Sequence, residues 1–190
     1  MSTRIATVVN GVDVDQLMDT IKAIEENPDL ANFAFRAHNE WISGGHSQTT
    51  IQEFYGAGQT DTSRNEPFVL DGDEPPVLLG DNQGPNAVEA VLHALASCLA
   101  TGFIYNAAAR GIHVESLDFD IEGSLDLRAF LGLSDDVRPG YDDIRVNYRV
   151  KTDAPRDDVL ELCEYVQNTS PVLDIIRNPV PVSVDLERIG

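Results

Sequence analysis

The stretch of sequence that decides the fold runs Gly84-Pro85-Asn86-Ala87-Val88-Glu89-Ala90-Val91-Leu92-His93-Ala94-Leu95-Ala96-Ser97-Cys98. Asn86 is a favourable N-cap residue, and Glu89 completes a capping box because it stands three positions later. The apolar run continues to Ala109, and Gly111 follows at the position where helices commonly end. We therefore predict a long helix over residues 86–110 that is apolar nearly all round and buried on most faces.

One cysteine, Cys98, lies two to three turns inside this predicted helix. A thiol in such a place is either an inert packing residue or a sheltered nucleophile. The reactive form is the thiolate, which a nearby cation or helix N-terminus stabilises. The helical neighbours Ala94, Leu95 and Thr101 are uncharged, so any activation of Cys98 comes from outside its own helix.

Composition limits the class of protein. The length of 190 residues is enough for one or at most two domains, and the 42% of hydrophobic residues can form a core. The formal net charge of −19 repels nucleic acid and anionic membranes, so we expect neither as a partner. We see no window of about 18 apolar residues that would span a membrane, and no signal peptide. With two cysteines in the chain, we expect a reducing, cytoplasmic location.

The predicted elements alternate between helices and paired strands. Helices are expected at residues 13–26, 86–110 and 155–168, with a short one after Ser170; strands are expected at 32–42, 47–55, 66–70, 113–125, 143–152 and 181–186. Hairpins that are segregated from two long helices favour an α+β fold with antiparallel sheets. A central helix this apolar needs more cover than one small sheet gives, which indicates an intertwined homodimer.

The segment from Gly84 to Cys98, the strand-strand-helix order after it and Ser170-Pro171-Val172 together resemble the OsmC/Ohr superfamily of osmotically inducible and organic hydroperoxide resistance proteins. The resemblance covers roughly residues 32–187. It implies an α+β swapped homodimer with two long central helices. We accordingly predict an N-terminal helical extension over residues 1–31 and an OsmC-like domain over residues 32–190.

The resemblance also implies a site. Enzymes of this family are thiol peroxidases, and Cys98 matches the cysteine that attacks the peroxide. Ser170 stands where the family has a second, resolving cysteine. The family's glutamate corresponds to Val88, with Glu89 one position away. The family's arginine falls near His46 or Ser47, and Arg36 is the nearest earlier arginine. Cys98, Arg36, His46 and Glu89 are thus the candidate catalytic residues, and no cofactor or metal is expected.

Two hypotheses follow, with a third behind them. The first is an enzyme that reduces organic hydroperoxides through Cys98 and is itself reduced by an external thiol. The second is a catalytically degenerate protein that binds a small apolar ligand around an inactive Cys98. The third is an interaction protein that uses its acidic surface. Each candidate also has a purely structural interpretation. Ser170 would be an N-cap, Glu89 would belong to a capping box and Cys163 would be a packing residue.

Overall fold

The computed structural model describes residues 6–189, which form two compact units that divide between residues 93 and 94. The strands are β1 (Val8–Val9), β2 (Val12–Asp13), β3 (His38–Ser43), β4 (His46–Ile51), β5 (Phe54–Gly56), β6 (Gln59–Asp61), β7 (Phe68–Gly72), β8 (Val114–Leu125) and β9 (Tyr141–Thr152). The helices are α1 (Val14–Glu26), α2 (Ala87–Ala109), α3 (Arg156–Thr169) and α4 (Pro171–Arg177), with 3₁₀ turns at Pro28–Ala31 and Pro76–Leu78. Every strand pair described is antiparallel, which confirms the predicted α+β class.

Helix α1 in the first unit begins and ends where the sequence predicts. The side chain of Asp13 accepts a hydrogen bond from the Gln16 N–H at 2.9 Å, which satisfies one free donor of the first turn. Asn27 ends the helix, and its side chain accepts from the Asp29 N–H at the start of the 3₁₀ turn. The domain boundary expected at residue 31 stays a prediction.

The main sheet of the first unit has the strand order β3-β4-β7. Its first hairpin turns at Gly44, which has φ +56°, as the Gly44-Gly45 pair predicts. Strand β3 begins at His38 instead of residue 32, because Phe33 and Phe35 leave the sheet to pack against the ring of Phe54.

Residues 56–83, where the sequence predicts a single strand at 66–70, contain more regular structure than predicted. The arm predicted over residues 47–55 is two strands, β4 and β5, and β5 pairs with β6 in a second hairpin. That hairpin turns through Ala57 and Gly58, both with positive φ, which is the backbone of a tight two-residue turn. Ala57 is an uncommon residue at such a position, so the sequence signal for the turn was weak.

A buried carboxylate organises the segment that leads into α2. Asp73 is 3% exposed. Its two oxygens accept hydrogen bonds from the N–H groups of Glu74 at 2.8 Å and of Asp81 and Gln83 at 3.0 Å each. The N–H groups of Gln83 and Glu74, with Asp81, hold the pKa of Asp73 below its ordinary value. The carboxylate thus fixes residues 73–83.

Helix α2 has both predicted ends. The Glu89 N–H donates to the Asn86 side chain and the Asn86 N–H donates to the Glu89 carboxylate, both at 2.9 Å, so the capping box forms. Gly111, with φ +70°, follows the helix. The buried residues form one stripe: Leu95, Leu99, Phe103, Ala107 and Ala108. The expectation that most faces are buried is therefore wrong for this single chain, because no element within residues 6–189 covers the other faces.

Among residues 6–189, α2 alone is long and apolar enough to cross a membrane, with a mean hydropathy of 1.7 over an 18-residue window. The expectation that no such window exists is therefore wrong, because the few polar residues of α2 do not lower its mean hydropathy enough. Length and composition are weak evidence for a span, since a core helix has the same properties. The buried stripe of α2 is part of such a core.

The second unit packs helices on a long hairpin. Strands β8 and β9 pair along their length, with Phe119 opposite Tyr148 and Ile121 opposite Val146. The apolar face of this hairpin covers a core formed by α2, α3 and α4, whose fully buried members include Leu99, Phe103 and Leu162. This is the layered arrangement that alternating β8 and β9 patterns predict.

The strand predicted over residues 181–186 is not found in the described chain. Residues 179–189 have no regular secondary structure and pair with no strand among the described residues. Val182, Val184 and Leu186 are all largely exposed. A strand needs a neighbouring strand to satisfy its backbone groups, and this single chain supplies none at this segment, which is why the prediction fails here.

Candidate functional site

The structure brings Cys98 together with Ser170, 72 residues further along the chain. The Cys98 sulfur and the Ser170 hydroxyl oxygen are 3.2 Å apart. Ser170 is 6% exposed and Cys98 is half-buried. No other hydrogen-bond partner of the Cys98 sulfur is found among the described residues. The contact places a polar hydrogen beside the half-buried thiol.

Local structure explains why the Ser170 hydroxyl stands at this point. Ser170 is the N-cap of α4, and its oxygen accepts a hydrogen bond from the Leu173 N–H at 3.2 Å. Pro171 follows at the first helical position, where its missing N–H costs nothing. Because the oxygen accepts from the backbone, the single hydroxyl proton is available for the sulfur. Ser170 can therefore cap the helix and donate to a Cys98 thiolate at once.

The second cysteine differs in its surroundings. Cys163 lies on α3 and packs against the core cluster. Burial raises the pKa of the Cys163 thiol, and a hydrogen bond from the Gln167 side chain offsets this only in part. A raised pKa keeps the group as the unreactive thiol at neutral pH. The geometry therefore favours a packing role for Cys163, as the sequence suggested.

The other candidate residues lie in the first unit. His46 Nε2 is 2.9 Å from an Asp71 carboxylate oxygen, which also accepts from the Gln48 side chain at 3.2 Å. These two hydrogen bonds hold the pKa of Asp71 below its ordinary value. Arg36 is exposed, and no ion pair is found for it within residues 6–189. Glu89 is engaged in the capping box of α2.

Two features of these surroundings were missed by sequence reasoning. Asp71 is the partner of His46, although 25 residues separate them, and only the strand register reveals the pair. Tyr148 alternates with apolar residues on β9, a pattern that is typical of an apolar face. In the structure its hydroxyl is buried and has no hydrogen-bond partner among the described residues.

A resident metal has no evident site in the part of the chain that the structure describes. No group of three or more histidine, cysteine, aspartate or glutamate side chains there is close enough to hold a metal ion. The chemistry that the arrangement offers is therefore that of a half-buried thiol with a hydroxyl donor beside it.

Comparison with solved structures shows the fold. An OsmC-like protein from Mycoplasma pneumoniae superposes with a TM-score of 0.57 at 16% identity, over 77% of this chain and 89% of that one. An OsmC-like protein of unknown function from Vibrio cholerae gives 0.56 at 11% identity, over 74% and 92%. A candidate osmotic stress induced and detoxification response protein from Psychrobacter arcticus gives 0.55 at 14% identity, over 75% and 88%.

Sequence comparison shows the family. No curated protein matches the chain. The sequence profile of the OsmC-like protein family matches residues 80–185, a range that contains α2 with Cys98, the β8–β9 hairpin and Ser170. Since this match covers more than half of the sequence, the chain belongs to the OsmC-like protein family.

Proposed function

We propose that this protein is a thiol peroxidase that reduces organic hydroperoxides through Cys98 and so protects the cell during oxidative stress. The observation that carries the proposal is the 3.2 Å contact between the Cys98 sulfur and the Ser170 hydroxyl. It supports a reacting thiol because a charged sulfur that is partly removed from water needs a hydrogen-bond donor. Family membership and the detoxification name of the Psychrobacter arcticus relative support a role in stress response, and the resemblance to organic hydroperoxide resistance proteins suggests the substrate class.

The chemistry would proceed in balanced steps. The Cys98 thiolate attacks the distal oxygen of the hydroperoxide, and the O–O bond breaks. The sulfur is oxidised to a sulfenic acid, while the peroxide is reduced and leaves as an alcohol after it takes up a proton. The Ser170 hydroxyl donates a hydrogen bond to the thiolate before attack and to the sulfenate oxygen after it.

Reduction requires a thiol from another molecule. A serine cannot form a disulfide, so the family's internal resolving step has no counterpart at Ser170. An external thiol would condense with the sulfenic acid, which releases water and forms a mixed disulfide. A second external thiol would then release the Cys98 thiol as the external disulfide forms. No cofactor enters this cycle.

We further propose that the working form is a homodimer. Its support is the exposed apolar surface on the described chain: Trp41 on β3 is 73% exposed and Phe68 on β7 is 58% exposed, while α2 buries only one stripe. The segment at residues 179–189, which has no regular structure and exposes Val182, Val184 and Leu186, adds further uncovered apolar surface. In such a dimer the partner subunit's Arg36 or the partner's His46 would supply the cation that the Cys98 thiolate needs, and Glu89 would orient it.

We expect the protein to act in the cytoplasm without nucleic acid or membrane partners. The net charge of −19 supports this because it opposes binding to phosphate backbones and anionic lipid. Two free cysteines, Cys98 and Cys163, fit a reducing compartment.

Turnover tests the proposal. Purified protein is mixed with cumene hydroperoxide and excess dithiothreitol, and peroxide loss is followed by stopped flow. We expect Cys98→Ser to abolish the catalysed rate, while Cys163→Ser serves as the matched control and leaves it within about twofold. A wild-type rate no higher than that of Cys98→Ser would contradict the proposal.

The alternative function is a degenerate family member that binds a small apolar ligand. The observation in its favour is that Ser170 replaces the resolving cysteine, which the peroxidase cycle would otherwise use. Iodoacetamide alkylation at pH 7 separates the two functions. An activated Cys98 reacts faster than a free cysteine, whereas an inactive one reacts no faster than Cys163.

A further inference from the structure

The chain carries far more acidic than basic side chains. It has 32 aspartates and glutamates against 13 lysines and arginines, which gives a formal net charge of −19 over 190 residues. Charges of one sign repel each other more strongly in the compact folded chain than in the extended unfolded chain. The excess of carboxylates therefore opposes folding, unless the surrounding solution weakens the repulsion between them.

The basic residues of the chain do not remove this excess. Each lysine or arginine in an ion pair takes up one carboxylate, so a pair removes equal amounts of both charges. The pairs within residues 6–189 include Lys22–Glu26, Arg110–Glu161, Arg128–Asp126, Arg145–Asp143, Arg149–Asp120 and Lys151–Glu115. Even if every lysine and arginine held one carboxylate, a charge of −19 would remain.

Helix α1 shows how this charge acts on a single element. Asp15 and Asp19 are four residues apart, so they are neighbours on the helix surface and destabilise the helix by repulsion. The end of α1 carries Glu25 and Glu26, and its last turn has no basic residue, which is unfavourable beside the negative end of the helix dipole. No residue of α1 is fully buried, so little packing offsets these effects.

Dissolved salt weakens the repulsion between carboxylates. The Debye length is about 10 Å at 0.1 M salt and about 3 Å at 1 M, so molar salt restricts the repulsion to the nearest neighbours. Salt also weakens the ion pairs, but exposed pairs contribute little to stability. In the Lys22–Glu26 pair, for example, the two side chains are 73% and 71% exposed. The net effect of salt on the folded chain is therefore stabilising.

We propose that ionic strength controls the folded state of this protein, which is marginally stable in dilute buffer and is stabilised by molar salt. The cations of the salt act as a screening atmosphere around the carboxylates and not as ligands of particular residues. The protein is thereby suited to an environment of high ionic strength. The proposal depends on surface charge and not on Cys98, so it holds whether or not the protein is a peroxidase.

Thermal unfolding of the full chain tests this proposal, followed by circular dichroism at KCl concentrations from 0.1 to 2 M. We expect the midpoint temperature to rise by about 10 °C or more over this range. The series is repeated at a tenfold lower protein concentration, where the rise should be the same. An unchanged midpoint would overturn the proposal, and so would a rise that disappears on dilution, because salt would then act through association of chains.

A charge-neutralised variant separates screening from other effects of salt. Asp19→Asn, Glu25→Gln, Glu53→Gln and Glu164→Gln are combined, because these four side chains are exposed and none forms an ion pair within residues 6–189. We expect this variant to melt above the wild type in 0.1 M KCl and to gain about a third less from salt, since the repulsion scales with the square of the net charge.

The matched control keeps the charge at the same four positions, as Asp19→Glu, Glu25→Asp, Glu53→Asp and Glu164→Asp. Its midpoint should rise with KCl as that of the wild type does. A neutralised variant whose midpoint also rises as much as that of the wild type would overturn the proposal, because salt would then act by strengthening apolar burial.

Discussion

At the scale of single residues, Ser170 links helix capping to the chemistry of Cys98. Its oxygen accepts from the Leu173 N–H, and the same atom is 3.2 Å from the Cys98 sulfur. The short distance means that the two side chains already point at each other. A change of one atom at position 170 therefore alters what can happen to an oxidised Cys98.

We predict that Ser170→Cys restores an internal resolving step. After one equivalent of cumene hydroperoxide, the new thiol should condense with the Cys98 sulfenic acid and form a disulfide with loss of water. Intact-mass measurement under non-reducing conditions detects the loss of two hydrogens. The Cys163→Ala background excludes a disulfide with Cys163. The lost cap should cost about 1 kcal/mol of stability, and a protein that stays reduced and folded would contradict the prediction.

At this scale the sequence identified the candidate site residues, but for most of them it did not predict the side chains that they contact. The match of Cys98 and Ser170 to two family positions already implied that they meet, because their roles in the family require contact. The pair of His46 with Asp71 depends on the register of β4 against β7, which single-sequence patterns do not specify. The unpaired hydroxyl of Tyr148 could not be predicted, because a tyrosine that alternates with apolar residues is usually a packing residue.

At the scale of elements, local signals explain which predictions succeeded. The start of α2 depends on the capping box of Asn86 with Glu89, and its end depends on Gly111. Both signals involve only a few neighbouring residues, so both ends of α2 can be predicted from the local sequence. Strand limits depend on distant neighbours, and this is why β3 starts at His38. The strand predicted over residues 181–186 fails for the same reason, since no neighbouring strand for it is found in the described chain.

We predict a pH-dependent effect of Asp73→Asn on the segment before α2. The amide offers one acceptor oxygen where the carboxylate accepts three backbone N–H groups, so the variant should unfold at lower urea concentration. Folding lowers the pKa of Asp73, so its stabilisation is complete above the unfolded value of about 3.9 and is lost as the pH falls through the lower folded value.

The difference between the two urea midpoints should accordingly be largest near pH 6 and shrink below pH 4. Asp81→Asn is the control, because Asp81 contributes its backbone N–H and not its side chain. A constant difference from pH 6 to pH 3 would show that the carboxylate charge is not what holds this segment.

At the scale of the whole molecule, the single chain leaves apolar surface that a second copy would cover. We predict a homodimer by light scattering, and Trp41→Glu should shift it towards monomer because an acid cannot be buried against apolar surface without a large penalty. Val8→Glu is the matched control: Val8 is 59% exposed and lies in the predicted N-terminal extension. A wild-type monomer, or a dimer unaffected by Trp41→Glu, would contradict this arrangement.

The measurement that bears most directly on the central claim is the trapping of oxidised Cys98. Protein treated with one equivalent of cumene hydroperoxide in the presence of dimedone is digested, and the adduct is located by mass spectrometry. We predict that dimedone is found on the peptide that contains Cys98 and not on the one that contains Cys163, whose raised pKa keeps it as a thiol. An unmodified Cys98 under conditions that consume no peroxide would contradict the account.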